Sequence, residues 1–206
     1  MVWVVIMMLF NIETSTFAPD YLVTDNQNWV EVSAEEIDGI SASITGGGAV
    51  WLENGKIKYS GKTPSAYHVF DSKSKSFKVS DDKKSEFFQR KKETLLSTLA
   101  DKADTIKSSL LVGYPQTEIE SFYRQEKEAL AWQANNKADT PMLKQIARIR
   151  NIPFDVLAQK VLEKSEQFAL AVGAIIGQRQ AFEDRLFATK TLEELTALEK
   201  EIEAWI

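Results

Sequence analysis

The sequence predicts an α+β fold: a small β-rich module over residues 1–79, a long connecting helix over 80–113, and a helical domain over 114–206. Three observations carry that reading. Asn54-Gly55 stands between Val50-Trp51-Leu52 and Lys56-Ile57-Lys58-Tyr59, the strongest hairpin signal a short stretch can give. From Ser80 onward the composition turns to charged residues around a single apolar stripe. Beyond Pro153, residues from Phe154 to Leu186 repeat apolar positions at helical spacing, which makes one helix of roughly 50 Å. A helix of that length cannot be buried from one side by a small domain, so other helices are expected to line it.

In chain order, Met1 to Leu9 is almost wholly apolar and lacks both a basic leader and a small-x-small cleavage site. It reads either as a buried first strand or as an early start assignment, with Met7 or Met8 the alternative start. Residues 29–33 read as a strand, and Ser33 with Glu36 forms a capping box for a helix carrying Ile37, Ile40 and Ile44 on one face. Gly46, Gly47 and Gly48 end that helix. The Asn54-Gly55 hairpin spans residues 50–59, and residues 67–71 and 76–79 alternate around a Ser/Lys turn as a second hairpin.

Ser80-Asp81-Asp82 then opens the charged helix, with acids near its start where the helix dipole favours them. Phe88, Leu95, Leu99, Ile106 and Leu110 keep one stripe through it, in the manner of a stalk or arm. Gly113 and Pro115 break it. Thr117 with Glu120 is expected to box the next helix, Thr140-Pro141 to open a short one that Asn151 stops, and Thr191 with Glu194 to box the last. Within the long helix, Ala169, Gly173, Gly177 and Ala181 recur every four residues. Glycine costs about 1 kcal/mol against alanine inside a helix, so this stripe is expected to pack closely on another helix of the chain, with a dimer seam as the alternative.

Composition removes several function classes. Cysteine is absent, which excludes disulfides, thiol catalysis and thiolate zinc sites, and fits a reducing cytoplasm. The net charge of −5 argues against a broad nucleic-acid surface. The Lys-rich stretch 73–92, interleaved with Phe77, Phe87 and Phe88, reads as a solvated face diluted by Asp81, Asp82 and Glu86. Gly61-Lys62-Thr63 fails as a phosphate loop, since five residues separate Gly55 from Gly61 and Pro64 follows. His68 is the one histidine and has no second ligand beside it. Acidic pairs such as Glu35-Glu36 and Asp81-Asp82 sit where helices begin. No enzyme, metal site, cofactor or membrane span is expected.

Residues 125–132, the Thr140-Pro141 helix start, Arg150-Asn151-Ile152-Pro153 and Gly173-Ala174-Ile175-Ile176-Gly177-Gln178-Arg179-Gln180 together resemble a helical domain of tailed-phage tail proteins, over about residues 114–186. That family commonly has Gly where this chain has Asn151, and Asn tolerates the same left-handed conformation. The front half is similar to tail fibre assembly proteins in its Trp29-Val30 strand, its 33–44 helix, its 50–59 hairpin and its loop from Pro64 to Phe70. The proline-rich linker usual there is reduced to Pro64. The resemblance implies a chaperone that assists folding, trimerisation or attachment of a phage tail fibre by binding its C-terminal tip, or else a structural tail component kept in the virion. It implies work in the cytoplasm of a bacterial host, with the virion tail as the other location. Trp29, Trp51, Tyr59, Tyr67 and Phe70 are the candidate client contacts, because a small module is expected to bury only some of its aromatics; the alternative is that all five form its core.

Overall fold

A computed structural model describes residues 7–25 and 28–205 of the chain. The fold is α+β, small antiparallel sheets followed by helices. The chain divides into two compact units, Met1–Arg90 and Lys91–Ile206.

In the first unit β1 (Met8–Asn11) is the centre of a three-stranded antiparallel sheet, between β2 (Thr16–Pro19) and β3 (Trp29–Val32). Met1 to Ile6, the rest of the apolar start, lies outside the described residues. The strand β2 was not expected from the sequence. It forms because Asn11, buried at the end of β1, accepts the N–H groups of Glu13 and Thr14 at 3.0 Å each, and this tight turn returns the chain. Helix α1 (Ala34–Thr45) starts at the Ser33–Glu36 capping box, both bonds of which are present. Next come the hairpins β4 (Val50–Glu53) with β5 (Lys56–Tyr59), and β6 (His68–Asp71) with β7 (Ser76–Val79). Asn54 and Gly55 have φ of 51° and 76°, the left-handed pair that this two-residue turn demands.

The core of this unit is Phe10, Val32, Ile40 and Ile57, with Phe17, Val30, Ile37 and Val50 packed against it. Beside it, buried Ser43 fastens the end of α1 to the loop after β5. Its hydroxyl donates to the Gly39 carbonyl at 2.8 Å and accepts the Gly61 N–H at 2.9 Å. The Ser43 carbonyl accepts the Gly48 N–H at 2.7 Å, and the Gly46 carbonyl accepts the Thr63 N–H at 2.9 Å. Close backbone approach is what these bonds require, and glycine at 46 and 48 permits it.

The second unit takes in α2 (Asp81–Ser109) from Lys91 onward, then α3 (Gln116–Ala134), α4 (Pro141–Arg150), α5 (Phe154–Ala188) and α6 (Leu192–Ala204). Contrary to the expectation of an arm, this part of α2 is built into the unit: Leu95 and Leu99 are buried on it. Lys92 Nζ donates to the carbonyls of Phe187 and Thr189 at the end of α5, and Lys102 Nζ to those of Glu203 and Trp205 at the end of α6. Cations there answer the orphan carbonyls and the negative pole of each helix. Lys91 pairs with Glu199 of α6 at 2.5 Å. The buried side chains of the same region are Phe182 and Leu186 on α5 and Leu195, Leu198 and Ile202 on α6.

A second cluster, Ala129, Leu143, Ala147, Leu157 and Ala158, joins α3, α4 and the first turns of α5. The Thr191–Glu194 box opens α6 as the spacing predicts. The box expected at Thr117 and Glu120 does not form. Pro115 is the N-cap of α3, and Glu120 instead accepts from the Gln116 side chain at 3.0 Å.

Candidate functional site

None of the five aromatics singled out from the sequence is in the core of the first unit. Trp29, Trp51, Tyr67 and Phe70 are half-buried, and Tyr59 is 37% exposed. They do not form one surface. Trp51 on β4 stacks against Phe70 on β6 with ring centroids 5.3 Å apart, and Phe70 meets its cross-strand partner Phe77 edge to face at 5.6 Å. Lys75, at the β6–β7 turn, places its ammonium 5.1 Å from the Trp51 ring centroid, a cation–π contact. The Trp51 indole N–H is buried and finds no acceptor among the described residues.

Tyr67 stacks on His68 and leans on Phe87 at 5.7 Å. Tyr59 pairs with Val50, whereas Trp51 pairs with Lys58, so by the alternation of a strand Tyr59 and Trp51 point to opposite faces of their hairpin. The Tyr59 ring lies over Gly39 of α1, where a Cβ would strike it. Trp29 stands opposite Asn11 in the three-stranded sheet. The structure therefore assembles Trp51 and Phe70 with Phe77 and Lys75, and leaves Trp29 and Tyr59 apart from them. Phe77 and Lys75 were missed as members of this face; it is the observed register of the hairpin that pairs Phe77 with Phe70.

The stripe of Ala169, Gly173, Gly177 and Ala181 also departs from expectation. All four are exposed, and a Cβ added at Gly173 or Gly177 would meet nothing within 4 Å. The close helix contact expected there is absent. The buried positions of α5 lie instead at its two ends, at Leu157, Ala158, Phe182 and Leu186.

The polar groups that the sequence reading missed hold helix ends. Glu128 of α3, 8% exposed, accepts the N–H of Met142 at 3.3 Å and of Leu143 at 2.9 Å, and Arg124 donates to it at 3.2 Å. It thus caps α4 from a neighbouring helix. Thr140 occupies the N-cap position with a buried hydroxyl that makes no bond, because the amides it would serve are taken. Asn151 is left-handed at φ 49°, and the N–H of Ile152 reaches the Ala147 carbonyl at 3.1 Å, closing α4 with a Schellman turn.

Charge on the surface is paired for structural ends. The Lys78 ammonium, and then the Lys73 N–H, hold the Asp71 carboxyl well below its usual range. Two parallel bonds of 2.7 Å from Arg185 lower Glu201. The His68 Nδ1 lies 2.6 Å from the Ser65 hydroxyl. Among the described residues no group of three or more His, Asp or Glu could hold a metal ion, and no helix is long and apolar enough to cross a membrane.

Comparison with known proteins bears on the C-terminal helices. Residues 163–205, about the last three-quarters of α5 and all of α6, match the family described as the HI1402 helical domain. A Haemophilus influenzae protein described as uncharacterized is 66% identical over 64 residues, which cover 31% of this chain and 94% of that protein. No solved structure matches the chain.

Proposed function

We propose, from the premise that the chain belongs to the family of the uncharacterized Haemophilus influenzae protein, that it works by binding: it is an assembly chaperone for the tail fibre of a phage or prophage. Neither the family's description nor that relative's assigns an activity, so the reading rests on the resemblance of the front half to tail fibre assembly proteins. The observation that carries it is the half-buried aromatic face of Trp51 and Phe70 on two short hairpins, outside the core of Phe10, Val32, Ile40 and Ile57. Aromatics in such a position are the usual anchors of protein interfaces, and short two-stranded hairpins offer free edges to which a strand of a fibre can add.

The test is co-expression of the chain with the fibre protein encoded beside it. The fibre is expected to be soluble and trimeric with the chain and aggregated without it, and Trp51→Ala with Phe70→Ala to abolish the rescue while the helical signal of the protein is kept. A fibre that trimerises equally well alone would sink the reading. A fibre that needs the chain only as a stoichiometric part of the finished tail would favour the structural alternative.

A further inference from the structure

The turn from α4 into α5 forms an open hollow of about 620 Å³ on the surface. Ala147, Ile152, Pro153 and Phe154 form its apolar part, and Lys144 and Arg148 supply its charge. The floor is firm. Phe154 meets Trp132 edge to face at 5.4 Å, and the left-handed Asn151 fixes the angle of the turn. Lys144 and Arg148 are four residues apart, hence on one face of α4, and like charges at that spacing repel. Both are exposed, and neither is in an ion pair among the described residues. Helix α4 carries Lys144, Arg148 and Arg150 and no acid, in a chain of net charge −5; Asp139 and Asp155 are the acids flanking it in sequence. An anion seated between the two cations would relieve their repulsion; the positive end of α5 adds little, since Asp155 stands in its first turn.

We propose that this hollow docks an acidic segment of a partner protein, one that presents a large apolar side chain beside a carboxylate. The apolar floor takes the side chain, and Lys144 and Arg148 take the charge. A polyanion such as nucleic acid fits less well, because two cations make no continuous track and the rest of the chain is acidic. The site lies in the helical unit and stands whether or not the front unit binds a fibre.

The experiment uses the full chain and a dye-labelled peptide in which Glu alternates with Phe and Leu, followed by fluorescence anisotropy. Binding is expected to weaken about tenfold or more in Lys144→Glu with Arg148→Glu, and to weaken with salt. A peptide with Lys in place of Glu, and one with Ser in place of Phe and Leu, are both expected to fail. Because both substituted side chains are exposed, the variant is expected to keep its circular dichroism. The proposal is overturned if the first peptide does not bind, if it binds the variant equally, or if the Ser peptide binds as tightly. It is likewise overturned if a single-stranded oligonucleotide displaces the peptide at lower concentration than unlabelled peptide does. Self-association of the chain that the charge reversal abolishes would assign the hollow to a second copy instead.

Discussion

The two units hold their elements together by opposite means. In the first, backbones come close: Gly46 and Gly48 admit the loop after β5 against the end of α1, with the small hydroxyl of Ser43 between them. In the second, long charged side chains reach across to helix ends, Glu128 to the start of α4 and Lys92 and Lys102 to the ends of α5 and α6. The difference teaches that a glycine has no fixed meaning. Gly48 sits where a Cβ would fall well inside the Gly61 carbonyl oxygen, while Gly173 and Gly177, whose spacing is the better-known packing signal, face open space.

The largest effect that would test this contrast is at Leu99, fully buried on the part of α2 assigned to the second unit. Leu99→Ala should cost about 2–5 kcal/mol in urea unfolding, the usual range for a buried leucine. A change under about 0.5 kcal/mol, as expected of an exposed position, would return α2 to the role of a free arm. Next is Glu128→Ala. Two amides and Arg124 lose a carboxylate there, which should cost about 2–3 kcal/mol, read from the same transition.

Smaller losses follow in the first unit. Gly48→Ala should destabilise by about 1–3 kcal/mol, because the obstacle is backbone and must move. Gly39→Ala should cost less, since only the Tyr59 ring must swing aside. Equal melting temperatures for Gly48→Ala and the parent would show that the loop gives way freely. Gly177→Ala should do the reverse and stabilise by up to about 1 kcal/mol, through helix propensity alone. A lower melting temperature for that variant, losing its concentration dependence, would mean that the stripe is covered by a second copy in solution.

The smallest effect is acid sensitivity at the β6–β7 hairpin. The carboxyl of Asp71 is depressed below its ordinary value of 3.8 by Lys78 and the Lys73 N–H. Its stabilising contribution is therefore present above that value and lost as pH falls through 3.8 and below. Asp71→Asn should flatten the fall in melting temperature between about pH 5 and pH 2, and an unchanged slope would assign the acid sensitivity to other carboxylates.

What was legible in the sequence is what partners close in the chain decide. Ser33 with Glu36, Thr191 with Glu194, the Asn54-Gly55 turn and the stop at Asn151 each involve groups three or fewer residues apart or one residue's own φ. The length of α5 was legible for the same reason. What failed to show depends on groups brought together by folding. Glu128 lies 14 and 15 residues before the amides it caps, and Lys102 more than a hundred before the carbonyls it meets. Thr117 lost its capping role to Pro115, a competitor only two residues away. At the candidate site the aromatics were legible as a set, but their division between the faces of one hairpin depends on a register that places Trp51 opposite Lys58 and Tyr59 opposite Val50.

The two lysines of α2 also measure length. Lys92 and Lys102 are ten residues apart, about 15 Å along a helix axis, and each must reach the carbonyl end of a different helix. One residue inserted between them would turn Lys102 through about 100° and carry it off the end of α6. Substitutions along this stretch can be absorbed one at a time, but a change in its length cannot. The span between those two lysines is a gauge whose length the ends of α5 and α6 set.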